Sequence, residues 1–223
     1  MNTLILLAGG TGSRTGLDTP KQFIEVNGKT LLEICYQEFV NTSIFDFVVV
    51  VCDTSYKDLV ADICQKFTIP FFIAKAGKER ANSVLNGLIQ CPDNTIHVAV
   101  HDSARANIRS SLINKLYDYC VKEECGVIPG YSDSDSIKLV YDNQIIEKTL
   151  NRDLVYKVQT PQIFPYSKIL KSYQTGISND YNGTDCSSYY EQLYTVKIVE
   201  GDRSNIKVTY ASDLEEIKNL LKL

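Results

Sequence analysis

The chain has 223 residues, 44% of them hydrophobic and 22% charged, which suits a single domain (1–223) with a full sheet covered on both faces. Its formal net charge of −4 argues against nonspecific attraction to nucleic acid or to acidic membranes, and no apolar run reaches the ~18 residues of a spanning helix. Seven scattered cysteines without a C-x-x-C pair, beside only two histidines, give no zinc spacing and read as reduced, buried thiols. The start Met-Asn-Thr leads into a strand, with neither the basic opening nor the cleavage site of a signal peptide, so the expected location is cytoplasmic.

In chain order, residues 3–7 read as a short buried strand. Ala-Gly-Gly-Thr-Gly-Ser-Arg-Thr-Gly-Leu-Asp-Thr-Pro-Lys-Gln follows at residues 8–22. Gly9, Gly10 and Gly12 allow the backbone to approach phosphates closely, and Arg14 and Lys21 add two cations. This is the composition of a triphosphate-handling loop. It is neither of the two common glycine motifs. After Gly10 and Gly12 the next glycine is Gly16, one residue late for a dinucleotide fingerprint. Gly28-Lys29-Thr30 resembles the end of a Walker A loop, but Phe23 stands where its first glycine belongs.

Residues 23–26 suggest a short strand and Gly28 a turn, followed by a helix over 31–41. The β-branched run over 45–52 predicts a central parallel strand covered on both faces. A helix over 56–66, a strand over 71–74, a helix over 80–89, a strand over 96–101 and a helix over 110–123 complete the alternation. Such βαβα order predicts an α/β fold with a doubly wound, mostly parallel sheet. Ligands bind such sheets beyond the carboxyl ends of the strands, so the loops after Leu7, Ala74 and His101 are expected at one edge.

After residue 130 the pattern changes. A polar stretch over 132–136 precedes two short apolar runs, 137–141 and 145–149, flanking Asp142-Asn143 as a hairpin turn. The expected result is a β-arm at about 132–158, returning through 155–164. A break over 175–183 follows, then a helix, strands over 194–200 and 205–209, and a terminal helix from Ser212.

His101-Asp102-Ser103-Ala104-Arg105 ends a buried strand. Two readings fit Asp102: a Mg²⁺ ligand beside a triphosphate loop, or a cap on the next turn. Gly77 and Ser83 open a helix where free N–H groups and a hydroxyl can read a nucleobase edge or simply cap. Lys207 is a cation in an apolar stretch, pointing into a site or snorkelling from a sheet edge, and Arg152 reads as a site residue or a surface ion-pair partner.

Five motifs occur in order over residues 8–209: Ala-Gly-Gly-x-Gly-x-Arg…Pro-Lys-Gln, Glu-Arg-x-x-Ser-Val, His-Asp-Ser-Ala-Arg, Thr-Pro-Gln and Asn-Ile-Lys-Val-Thr. Together they resemble the family containing 2-C-methyl-D-erythritol 4-phosphate cytidylyltransferase and D-ribitol-5-phosphate cytidylyltransferase. The resemblance implies a nucleotide-diphospho-sugar-transferase-like variant of the Rossmann fold and transfer of CMP from CTP to a polyol phosphate. By that resemblance, Ala8, Gly9, Gly77 and Ser83 would surround the cytosine, with Gly10 and Gly12 in the phosphate loop. Arg14 and Lys21 would hold the triphosphate and Asp102 would bind Mg²⁺. Arg105, Ser136, Arg152, Thr160 and Lys207 would hold the acceptor, with Arg152 reaching across a homodimer joined through the arm.

Methylerythritol phosphate is the favoured acceptor and ribitol phosphate the alternative. A nucleotide-binding regulatory protein and a broader sugar-1-phosphate nucleotidylyltransferase are more distant alternatives. The chain departs from the family pattern in four places. Ala106-Asn107 follow Arg105 where Pro is usual, Thr15 replaces Met, Ser136 replaces Thr, and Cys186 replaces Asp after Thr184-Asp185.

Overall fold

Strand β1 (Asn2–Ala8) opens a chain of which the computed structural model describes residues 1–10 and 19–221. A 3-10 turn over Lys21–Phe23 leads to a small antiparallel ladder, β2 (Glu25–Val26) with β3 (Lys29–Thr30). The strand expected over 23–26 is therefore shorter, because Phe23 closes the turn by donating its N–H to Pro20 O. Helix α1 (Leu31–Asn41) starts where Thr30 Oγ1 accepts the Glu33 N–H at 3.2 Å, a standard N-cap bond. The predicted alternation then follows: β4 (Phe47–Cys52), α2 (Lys57–Cys64), β5 (Phe71–Lys75), α3 (Arg80–Leu88), β6 (His97–Asp102) and α4 (Ser110–Glu123).

The second half comprises β7 (Gly126–Ser132), β8 (Lys138–Val140), β9 (Ile146–Thr149), β10 (Tyr156–Val158) and β11 (Gln162–Pro165). After them come α5 (Tyr166–Ser178), α6 (Cys186–Tyr190), β12 (Val196–Glu200) and α7 (Ala211–Leu220). Among the described residues, eight strands form one sheet in the order β10-β7-β11-β6-β1-β4-β5, with β12 on β7. The pairings of β1 with β4 and β6, of β4 with β5 and of β12 with β7 are parallel, while β10 and β11 run antiparallel.

Alternation along the central strands builds two core layers. Leu4, Leu6, Val48 and Val50 face α1, α2 and α4, whose Tyr36, Phe39, Ile63 and Leu116 cover them. Ile5, Val49, Val51 and Val100 face the opposite way, against Val84 and Leu88 of α3 and Ile169 and Tyr173 of α5. Burying such a side chain contributes roughly 1.5–3 kcal/mol, so the register of these strands is strongly specified. A third cluster matters for the site: Val208 and Ala106 pack with Leu214 and Ile217 of α7. No helix among the described residues is long and apolar enough to cross a membrane.

Three expectations need correction. The strand over 205–209 does not form. Val208 N–H bonds Ala104 O at a single rung, while Asn205 spends its amide Nδ2 on Thr160 O. The break expected from Thr175 begins only at Asn179, because α5 continues to Ser178. Ile169 and Tyr173, four residues apart and fully buried, hold this helix by packing, which overrides the weak propensities of Thr175, Gly176 and Ser178. Finally, the arm's turn is a 3-10 turn over Asp142–Gln144 rather than a two-residue turn. The arm hairpin, β8 with β9, stands apart from the main sheet, and Tyr156 paired with Ser132 closes its base.

Candidate active site

The carboxyl ends of β1, β5 and β6 lie at one edge of the sheet, and their loops enclose a cavity of about 390 Å³. Gly9 and Gly10 line it from the first loop, Gly77 to Arg80 and Ser83 from the second, and Asp102 and Ala104 from the third. Lys21 and Gln22 add a wall beside the glycines, and Lys207 comes from the segment before α7. Among the described lining residues, the cations Lys21, Lys78, Arg80 and Lys207 face only two carboxylates, Glu79 and Asp102. A net positive cavity in a chain of charge −4 is suited to a polyanion.

Backbone geometry explains the glycines. A Cβ on Gly9 would lie 2.6 Å from Ala76 Cβ, so the first and second loops can pack this closely only with glycine there. A Cβ on Gly77 would meet Asn82 Cβ at 2.3 Å and the Ser83 nitrogen at 2.9 Å. Gln22, nearly fully buried, donates to Ala8 O at 2.6 Å and to Gly10 O at 3.0 Å, pinning the loop entry. Ser83 Oγ accepts from Gly77 N–H at 2.9 Å and donates to Glu79 O at 3.1 Å. That hydroxyl thus shapes the second loop as well as lining the cavity.

Asp102 anchors the charge network. Its Oδ1 lies 3.3 Å from an Arg80 nitrogen and its Oδ2 2.6 Å from Lys207 Nζ. Burial works against the charged carboxylate, but Arg80 and Lys207 outweigh it and hold its pKa well below the usual carboxylate range. The backbone beneath is equally specified. Asp102 N–H donates to Thr160 Oγ1 at 3.1 Å, and that hydroxyl lies 3.0 Å from His101 Nδ1. His101 Nε2 lies 3.1 Å from Arg105 O. A carbonyl only accepts, so the network assigns the proton to Nε2 and leaves Nδ1 to accept from Thr160. Burial pushes the His101 pKa down to about 4, consistent with a neutral ring.

The predicted residues divide accordingly. Gly9, Gly10, Lys21, Gly77, Ser83, Asp102 and Lys207 share the cavity wall, and Ala8 ends β1 just before it. Thr160 lies beneath Asp102, buried, outside the wall. Arg105 also lies outside the wall, donating to Asn205 O at 2.8 Å and Val158 O at 3.4 Å, so in this structure it clamps the arm's return to the Lys207 segment. Ser136 and Arg152 are exposed on the arm, where Arg152 donates to Ser134 O. Gly12 and Arg14 lie outside the described residues. Asn107 Nδ2 donates to Ser204 O at 3.0 Å and to Ser204 Oγ at 3.1 Å, helping to fix the approach to Lys207.

Sequence reasoning passed over Arg80 and Gln22, although both stand inside quoted motifs. The missed signal for Arg80 was electrostatic. A cation in the first turn of a helix opposes the helix dipole, which implies a carboxylate partner elsewhere. For a metal, the described cavity wall offers one buried carboxylate, Asp102, and no group of three metal-ligating side chains occurs among the described residues. That donor set fits a Mg²⁺ ion completing its shell with phosphate oxygens and water, not a caged ion.

Comparison with known proteins matches the whole chain and its fold. Residues 2–222 match the family model described as 2-C-methyl-D-erythritol 4-phosphate cytidylyltransferase. A relative of that name from Clostridioides difficile is 34% identical over 226 residues, covering 100% of this chain and 94% of the relative. The crystal structure of 4-diphosphocytidyl-2C-methyl-D-erythritol synthase from Anaerococcus prevotii superposes with a TM-score of 0.89 at 27% identity, covering 100% of this chain and 98% of that one. The Francisella tularensis 2-C-methyl-D-erythritol 4-phosphate cytidylyltransferase gives a TM-score of 0.83 at 28% identity, covering 99% of each chain.

Proposed function

This chain belongs to the 2-C-methyl-D-erythritol 4-phosphate cytidylyltransferase family, and we propose that it transfers CMP from CTP to 2-C-methyl-D-erythritol 4-phosphate, releasing pyrophosphate. It is an enzyme of the CTP-dependent nucleotidyltransferase class. The observation that carries the reading is the meeting of Asp102, Lys207 and Arg80 with the Gly9-Gly10 loop in one cationic cavity. The family match favours methylerythritol phosphate over ribitol 5-phosphate.

The proposed reaction is an in-line displacement. An oxygen of the acceptor phosphate attacks the α-phosphorus of CTP, and the bond from that phosphorus to the bridging oxygen breaks, so pyrophosphate leaves. At neutral pH the acceptor phosphate is already an anionic nucleophile and needs no general base. The obstacle is bringing two anions together, which positioning and fixed positive charge overcome. Lys21 and Arg14 would hold the triphosphate, and Lys207 the acceptor phosphate. Gly77 and Ser83 would read the cytosine beside Ala8 and Gly9. Mg²⁺, held by Asp102 and the phosphates, would supply further charge neutralisation.

Ser136 and an Arg152 contributed by a second copy would complete the acceptor side, while Arg105 and Thr160, both outside the cavity wall, would act from behind it by holding the Lys207 segment and Asp102. What supports a homodimer is the arm itself. Leu139, Val140, Tyr141, Ile145 and Ile146 are all exposed on one short hairpin, an apolar surface that a single chain leaves uncovered. Pyrophosphate release on mixing the protein with CTP, Mg²⁺ and 2-C-methyl-D-erythritol 4-phosphate tests the proposal. CTP binding without release would refute it.

A further inference from the structure

Behind the cavity wall, Arg80 has a second set of contacts that the transfer chemistry does not use. One guanidinium nitrogen meets Asp102, while the other donates to Cys186 Sγ at 3.6 Å. The same sulfur accepts the Tyr173 hydroxyl proton at 3.2 Å. Cys186 and Tyr173 are both fully buried, and Arg80 keeps 31% of its side chain exposed toward the cavity. A continuous line of contacts therefore runs from the α5 core through sulfur and guanidinium to the carboxylate beside Lys207.

Each part of this line depends on local structure. Asp185 caps α6 by accepting the Ser188 N–H at 2.9 Å, and Gln162 on β11 holds the other Asp185 oxygen at 2.7 Å. Cys186 is thereby fixed at the first position of the helix. Tyr173 is fixed by stacking on Tyr189, with ring centroids 4.4 Å apart. Burial raises the Cys186 pKa although the Arg80 charge pulls it down, so a neutral thiol receives both bonds. A neutral acceptor steadies the guanidinium without competing with Asp102 for its charge.

We propose that Cys186 and Tyr173 are positioning residues for the transfer reaction, acting through Arg80 to hold the Asp102 carboxylate in place. The inference rests on reading the cavity as the transfer site, and it assigns a task to the cysteine that stands where the family pattern has Asp. Arg80 is a flexible side chain entering the site from a helix end. Fixing it at the rear removes the freedom that would let it leave Asp102.

The test is steady-state pyrophosphate release, with unfolding monitored in parallel. Cys186→Ala is expected to lower kcat about tenfold with the KM for CTP changed by less than about threefold, the split of an interaction made in the transition state. Cys186→Ser, which keeps an acceptor, is expected to recover most of the loss. In the Arg80→Lys background, Cys186→Ala should cost almost nothing more, because both changes break one line of contacts. Parental kcat in folded Cys186→Ala, or losses that multiply in the double variant, would overturn the inference. If Cys186→Ala does not fold, Tyr173→Phe carries the same two expectations, since it deletes only the hydroxyl. Asp102→Asn separates the two levels. Parental turnover in that variant refutes the site itself, whereas impaired turnover with an unaffected Cys186→Ala refutes only the positioning role.

Discussion

Lys207 Nζ lies 2.6 Å from Asp102 Oδ2, although 105 residues separate the two in the chain. The pair ties the end of β6 to an irregular segment that has no ladder to hold it. Val208 supplies the anchor instead, buried against Ala106 and α7 immediately after the lysine. The lysine is thus aimed by its apolar neighbour, and its charge remains available at the cavity wall.

Lys207 should therefore matter more to turnover than to folding. Lys207→Gln is expected to lower kcat by about a hundredfold or more, the scale of one preorganised charge. The side chain is 37% exposed and Asp102 retains Arg80, so the unfolding free energy should change by only about 1 kcal/mol. Pyrophosphate kinetics beside urea denaturation check both numbers. A stability loss that accounts for the whole loss of activity would contradict the assignment.

Gly9 and Gly77 make a steric prediction. Gly77→Ala must displace Asn82 or the start of α3, because its new carbon would lie 2.8 Å from a backbone carbon. CTP affinity, measured by calorimetry, is expected to fall at least about tenfold as the second loop moves. Gly10→Ala meets no atom of the described residues within 4 Å, so a loss of affinity there is expected to report ligand space instead. Unchanged affinity in both variants would place the nucleotide elsewhere.

The buried imidazole of His101 makes stability depend on pH. Burial pushes its pKa down to about 4, against about 6.5 in the unfolded chain. Between these values the unfolded chain binds a proton that the folded one refuses, so stability falls as pH drops from about 6.5 to 4. The whole decline is on the order of 3 kcal/mol. Below that window, Asp102 adds a further loss as its carboxylate, held low by Arg80 and Lys207 despite burial, takes up a proton. His101→Gln can still donate to Arg105 O and does not titrate, so its stability profile from pH 6.5 to 4.5 should be flatter in denaturant melts. A profile parallel to the parent's would exclude His101 as the cause.

For the arm, Ile146→Asp places a charge on the exposed apolar hairpin. Sedimentation is expected to show a dimer for the parent and a monomer for the variant, with turnover lost. Mixing Arg152→Ala with Lys21→Ala subunits should restore part of the activity if each site takes Arg152 from the neighbour. A monomeric, active parent would refute the shared site.

Much of this architecture was legible in the sequence. The alternation of β-branched runs with helical spacing gave β1, β4, β5 and β6 with α1 to α4, most clearly at β1, β4 and β6, where both faces are buried and the pattern is continuous. It also put the three loops at one edge. What was hidden depended on tertiary contacts. Residues 205–209 look like a strand, but Asn205 and Val208 satisfy them with isolated bonds to Thr160 and Ala104. Helix α5 is weak locally and stands by burying Ile169 and Tyr173. In the cavity, the glycines and Asp102 carried their own signal, while Arg80 and Gln22 are defined by partners distant in sequence. Arg105 had the chemistry of a phosphate ligand, yet its guanidinium donates to two backbone carbonyls.

The central claim is tested most directly by pyrophosphate release with CTP and Mg²⁺, comparing 2-C-methyl-D-erythritol 4-phosphate with D-ribitol 5-phosphate side by side. The account predicts that kcat/KM favours methylerythritol phosphate at least about tenfold, or about 1.4 kcal/mol in the transition state. A preference for ribitol 5-phosphate, or release with neither acceptor, would contradict it.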